Sequence, residues 1–96
     1  MLNPTPLDQM LDGQGRPYFM RNLTLEQFLK RLNDPEDRSY LIAQLMREAR
    51  PDDVFSFLSP RDLLETWPQV EELLGRQRVF WDWLLRIWED QGLVWR

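Results

Sequence analysis

Helix-starting signals recur along this chain, each a cap-type residue or a proline followed by apolar residues at helical spacing, and together they argue against a sheet protein. Thr24 to Gln27 form a capping box: the threonine hydroxyl accepts from a backbone N–H three residues on, and Gln27 reaches back. Leu25, Phe28, Leu29 and Leu32 then fall on one stripe, and Asn33 before Asp34-Pro35 ends the helix. Asp34 caps a second helix with Pro35 at its first position, where the missing N–H costs nothing. That helix is expected to run to Arg50 with Tyr40, Leu41, Ile42, Leu45, Met46 and Ala49 as its apolar face. Pro51-Asp52-Asp53, Ser59-Pro60-Arg61-Asp62 and Pro68 open three more short helices, Gly75 closes the run as a left-handed C-cap, and a last helix spans about Arg76 to Gln91 before Gly92. Strand-like alternation is absent apart from the neighbourhood of Tyr18 to Met20. The fold class expected is all-α, a compact orthogonal bundle of about five to six helices, several of them short, with an N-terminal extended arm.

The arm is residues 1–23, punctuated by Pro4, Pro6, Gly13, Gly15 and Pro17 and without a clean period, and residues 24–96 form one helical domain. Tyr18, Phe19 and Met20 are too apolar for a free tail and should lie against the domain, the first dozen residues being looser. A chain of 96 residues supports one core. It has no cysteine, so disulfides and thiolate metal sites are excluded and burial alone must stabilise it. No apolar run approaches a membrane span, and the first residues carry no basic and apolar leader, so a cytoplasmic location is the expectation.

The last helix carries the densest signal. At about 100° per residue, Arg78, Asp82, Arg86, Glu89 and Asp90 share one arc with opposite charges at i, i+4, which reads as the solvent face. The remainder, from Trp83 through Phe80, Ile87, Leu84, Trp88 and Trp81 to Leu85, covers about 200°, roughly twice the stripe of an ordinary surface helix. Either this helix is central and wrapped on several sides, or part of its apolar arc is left for another molecule. Each indole N–H wants an acceptor, which favours half-buried positions and interface centres. The reading therefore puts Phe80, Leu84, Ile87 and Trp88 inside, and Trp83 and Trp95 at a rim that a partner covers.

Net charge is −4, from 16 acids against 12 bases, of which all but Lys30 are arginine. An acidic balance opposes tracking of a phosphate backbone, so nucleic acid is not the expected partner. Arg47 and Arg50 end one helix where Asp52 and Asp53 begin the next, which suits both dipoles and also forms a polar half-interface. Arg76 and Arg78 instead stand in a first turn, where the dipole is already positive; they either pair with Glu71 or Glu72 or mark an anion site made of helix N–H groups and the two guanidinium groups. With no histidine and no cysteine the usual general base, nucleophile pairs and transition-metal ligands are missing, and Asp52-Asp53 and Glu71-Glu72 are neighbours that point apart on a helix. No phosphate loop, dinucleotide fingerprint or calcium loop is present. No enzyme, cofactor, metal or small-molecule substrate is expected.

The segments "LMREARPDDVFSFLSP" and "WPQVEELLGRQRVFWDWLL" resemble a family of small, mostly uncharacterised bacterial helical proteins encoded beside nucleotidyltransferases of the abortive-infection toxin type. The resemblance spans about Leu25 to Leu93 and rests on Arg47, Pro51, Asp53, Val54, Gly75, Arg76, Phe80 and Trp81 in that order. It implies an antitoxin-like companion that binds or restrains an enzyme. The functional expectation is a non-enzymatic protein-interaction module that binds a protein partner or its own copy. Its contact residues are Trp83 and Trp95 as anchors, with Arg76, Arg78, Arg47 and Arg50 for orientation. The alternative is a helix-turn-helix-like DNA-binding regulator built on the turn at Gly75 and the helix after it.

Overall fold

The computed structural model describes residues 3–92. Among them the chain is all-α, with α1 (Leu7–Met10), α2 (Leu25–Leu32), α3 (Pro35–Glu48), α4 (Pro51–Val54), α5 (Pro60–Val70) and α6 (Gln77–Asp90), and a 3₁₀ turn at Glu71–Leu73. The only extended pairing among the described residues is an isolated antiparallel bridge between Leu11 and Pro17.

Local chemistry sets most of these boundaries. The Thr24 hydroxyl accepts from the Gln27 N–H at 3.2 Å, and the Gln27 side chain accepts from the Thr24 N–H at 2.9 Å. Ser59 and Asp62 exchange the same pair of bonds at the start of α5, and Asp34 accepts from the Glu36 N–H at 3.0 Å at the start of α3. α3 stops at Glu48 rather than Arg50 because Pro51 drives the residue before it into extended backbone, and Ala49 is extended as well. Gly75 takes φ +55° in the turn that leads to α6, a conformation strained for any residue with a Cβ.

Two readings of individual residues also need correction. Pro68 opens no helix of its own; it lies inside α5, two residues from its end. Its ring removes one hydrogen bond, to the carbonyl four residues back, and the helix persists across that gap because Trp67 and Val70 on either side of it are both buried. Tyr40 is not on the core face of α3 but is 62% exposed. It stands on the far side of the helix from the arc of Leu41, Ile42, Leu45 and Met46.

α3 is the element on which α2, α4, α5 and the 3₁₀ turn pack, whereas α6 stands at the edge. A single core runs through the whole described chain and includes Met10, Phe19, Met20 and Leu23 from the arm. Phe19, Phe28 and Phe57 form a mutual edge-to-face set with centroids 5.4 to 5.7 Å apart.

The N-terminal residues are tied down more firmly than their composition suggests. Asp12 closes a tight loop by accepting from the N–H groups of Gln14 and Arg16. These bonds hold the Asp12 carboxyl below its usual pKa. The strand-like stretch before α2 is thereby folded back, with the Tyr18 N–H donating to the Met10 carbonyl at 3.0 Å. Met10 is buried, and Thr5 bonds to Asp53, so the first dozen residues are not loose from Thr5 onward.

Candidate interaction surface

α6 docks through one narrow side. Trp81 and Leu85 are wholly buried, and the Trp81 indole N–H donates to the Met46 carbonyl of α3 at 2.9 Å. Phe55 meets the rings of both Trp81 and Trp88 edge-on, at 5.9 and 5.1 Å. Phe80, Leu84 and Trp88 are half-buried against the core, and Ile87 is half-buried too, so the four residues expected inside are flanking ones. The spacing predicts the core under the middle of the 200° apolar arc; the core instead meets one end of it, where Trp81 and Leu85 lie.

The opposite end of the arc therefore points away from the protein. Val79 is 78% exposed and Trp83 56% exposed, and Ile87 continues their line one turn further on. At about 100° per residue Trp83 stands diametrically across α6 from the mean direction of Trp81 and Leu85. Phe80 bridges the two sides, 5.2 Å from the Trp81 ring and 6.1 Å from that of Trp83. The polar arc is correspondingly displaced to the flank: Asp82 and Glu89 are partly covered, and Arg86 pairs with Asp82 at 3.1 Å.

The remaining contact residues divide by what they already touch. Arg78 pairs with Glu71 at 3.4 Å, which answers its unfavourable place at a helix start. Arg47 donates to the Leu73 carbonyl at 2.9 Å and so pins the 3₁₀ turn ahead of α6. Arg50 donates to Thr5 Oγ1 at 3.0 Å and lies 3.9 Å from Asp52, on the arm side of the molecule. Arg76 is exposed at the cap of α6 and takes part in none of the ion pairs among the described residues. Trp95 lies outside the described residues. Trp83 thus stands on α6 with Arg76 at its N-cap, while Arg47 and Arg50 are held by the fold.

One polar centre was not visible in the sequence. Asp53, expected as a helix-start acid answering the dipole beside Arg47 and Arg50, is completely buried. It accepts from the Thr5 N–H and hydroxyl, both at 2.7 Å, and from the Tyr18 hydroxyl at 2.6 Å. The two hydroxyls in turn accept from Arg50, Tyr18 from its N–H at 2.8 Å and Thr5 from its guanidinium. Burial pushes the Asp53 carboxyl upward, but the bonds from Tyr18 and Thr5 and the Arg50 charge outweigh it and leave the pKa lowered. Burial, together with the bond to Asp53, pushes the Tyr18 hydroxyl up to about 12. Thr5 and Tyr18 stand 48 and 35 residues from Asp53, so no local pattern announces the contact. The centre is a clasp for the arm; every buried side-chain polar atom among the described residues is likewise satisfied.

The described residues hold no group of three acids close enough to share a metal ion, and no helix among them is long and apolar enough to cross a membrane. Comparison of the chain with protein-family models, with curated proteins and with solved structures finds no match.

Proposed function

We propose that this protein is a non-enzymatic interaction module that presents the outer face of α6 to a protein partner. The observation that carries this reading is the line Val79, Trp83, Ile87 on the side of α6 turned away from the core, with Val79 and Trp83 exposed and Ile87 half-buried. A tryptophan more than half exposed beside a valine at 78% is a poor use of apolar surface in a monomer, and aromatic side chains in such settings are the usual anchors of interfaces. Arg76, which no ion pair among the described residues engages, supplies a guanidinium at one end of that line. The resemblance to companions of abortive-infection nucleotidyltransferases suggests that the partner is an enzyme restrained by binding.

The test is affinity capture from the native host with wild type and a Trp83→Asp variant as baits, followed by an activity assay on whatever the wild type retains. The variant is expected to melt at the wild-type temperature and to lose the main partner; a folded variant that keeps every partner overturns the reading. A DNA-binding role is supported only by the sharp turn at Gly75 and the arginines that follow it. The line of α6 farthest from the core carries Val79, Trp83 and Asp90 where a recognition helix offers bases and amides. Salt-dependent, submicromolar binding to duplex DNA would reinstate it.

A further inference from the structure

We propose that the outer face of α6 takes a second copy of this chain, with the two α6 helices antiparallel about a two-fold axis at Trp83. The inference rests on the reading of that face as an interaction surface and adds the identity of its occupant. Five residues make the line: Arg76, Val79, Trp83, Ile87 and Asp90. Their spacings of 3, 4, 4 and 3 read the same in both directions and keep all five within about 80° of arc at the helical period. When α6 is reversed about Trp83, Val79 comes opposite Ile87, Trp83 opposite Trp83, and Arg76 opposite Asp90.

The ends decide the orientation. Arg76 and Asp90 are both exposed, and no ion pair among the described residues engages either, in contrast to Arg78, which Glu71 holds at 3.4 Å. An antiparallel pair matches each cation with an anion twice over and opposes the two helix dipoles, whereas a parallel pair sets Arg76 against Arg76 and Asp90 against Asp90. A two-fold interface needs a self-complementary patch, and a palindromic line with opposite charges at its ends is one. α6 is 14 residues long, about 21 Å at 1.5 Å per residue, so the seam is short and the dimer belongs to the weak class, with Kd on the order of micromolar to tens of micromolar.

Sedimentation equilibrium of the full chain between about 1 and 500 µM tests the pairing. Wild type is expected to dimerise, with Trp83→Ala weakening it by about tenfold or more. Arg76→Glu and Asp90→Arg should each weaken it by about threefold to tenfold, and the two together should restore wild-type affinity to within about twofold, because only a self-pair exchanges both charges at once. The chain has no cysteine, so orientation is read by oxidation. An equimolar mixture of Val79→Cys and Ile87→Cys variants should cross-link, and each variant alone should not. A monomer throughout the range, a dimer indifferent to Trp83→Ala, a double charge reversal without rescue, or cross-linking of Val79→Cys with itself each overturns the proposal. A monomer whose Trp83-dependent capture of another protein persists does so as well, and leaves the broader reading of the α6 face intact.

Discussion

Two regions of this molecule reverse the usual partition of apolar inside and polar outside, and they do so with opposite outcomes. At the clasp a carboxylate is wholly buried, and three donors from the arm answer it while Arg50 supports two of them. On the outer side of α6, valine and tryptophan are exposed and no core residue covers them. A buried charge without partners costs several kcal/mol and must be satisfied within the fold. An exposed indole costs the fold little and can wait for another molecule. The clasp is therefore closed chemistry and the α6 face open chemistry.

The largest effect is expected on the closed side of α6 itself. Trp81→Ala removes a fully buried ring and the donor to the Met46 carbonyl, and should lower stability by about 3 to 5 kcal/mol in urea unfolding. A loss below about 1 kcal/mol would mean that α6 does not dock through this side. Next comes Asp53→Ala, which leaves the Thr5 and Tyr18 donors without their acceptor; about 2 to 4 kcal/mol is expected, with loss of hydrogen-exchange protection at the Thr5 N–H. If the arm stays protected, the clasp is incidental to its docking.

The clasp should also respond to pH at both ends. Asp53 has a lowered folded pKa, so its contribution is present above the unfolded value, near 3.8, and is lost as pH falls through the folded value. Tyr18 is raised from 10.0 to about 12, so its contribution is full below pH 10 and declines as pH rises from there through about 12. Melting temperature followed against pH should lose its alkaline decline in Tyr18→Phe and part of its acid decline in Asp53→Asn. Unchanged profiles would detach the clasp from stability.

The smallest effect is expected at the open face. Trp83→Ala should change the stability of the monomer by no more than about 0.5 kcal/mol, since the ring meets only Phe80 among the described aromatic side chains. A cost near that of Trp81→Ala would show that the two sides of α6 do not differ and would remove the basis for an interaction surface there.

Much of the architecture was legible because it is written locally. The caps at Thr24, Asp34 and Ser59 and the prolines at 35, 51 and 60 act within four residues of themselves, and the helices begin where they stand. Pro68 misled for the same reason: a breaker signal is local, and the burial of Trp67 and Val70 that overrides it is not. The breadth of the apolar arc on α6, and Trp83 at its border, were also readable, because angular position about a helix follows from spacing alone.

Which part of that arc meets the core was decided by tertiary structure. Periodicity places side chains relative to one another around the axis; it carries no information on the direction from which the rest of the chain approaches. That direction came from α3, whose Met46 carbonyl takes the Trp81 indole and leaves Trp83 on the far side. The clasp depended on the same kind of fact, since Asp53 becomes buried only when residues 35 and 48 positions away fold over it. Local sequence determined where helices start and stop, because caps and rings act at hydrogen-bond range. Only the packed chain determined which polar group is enclosed and which apolar face stays open, because both depend on neighbours far away in sequence.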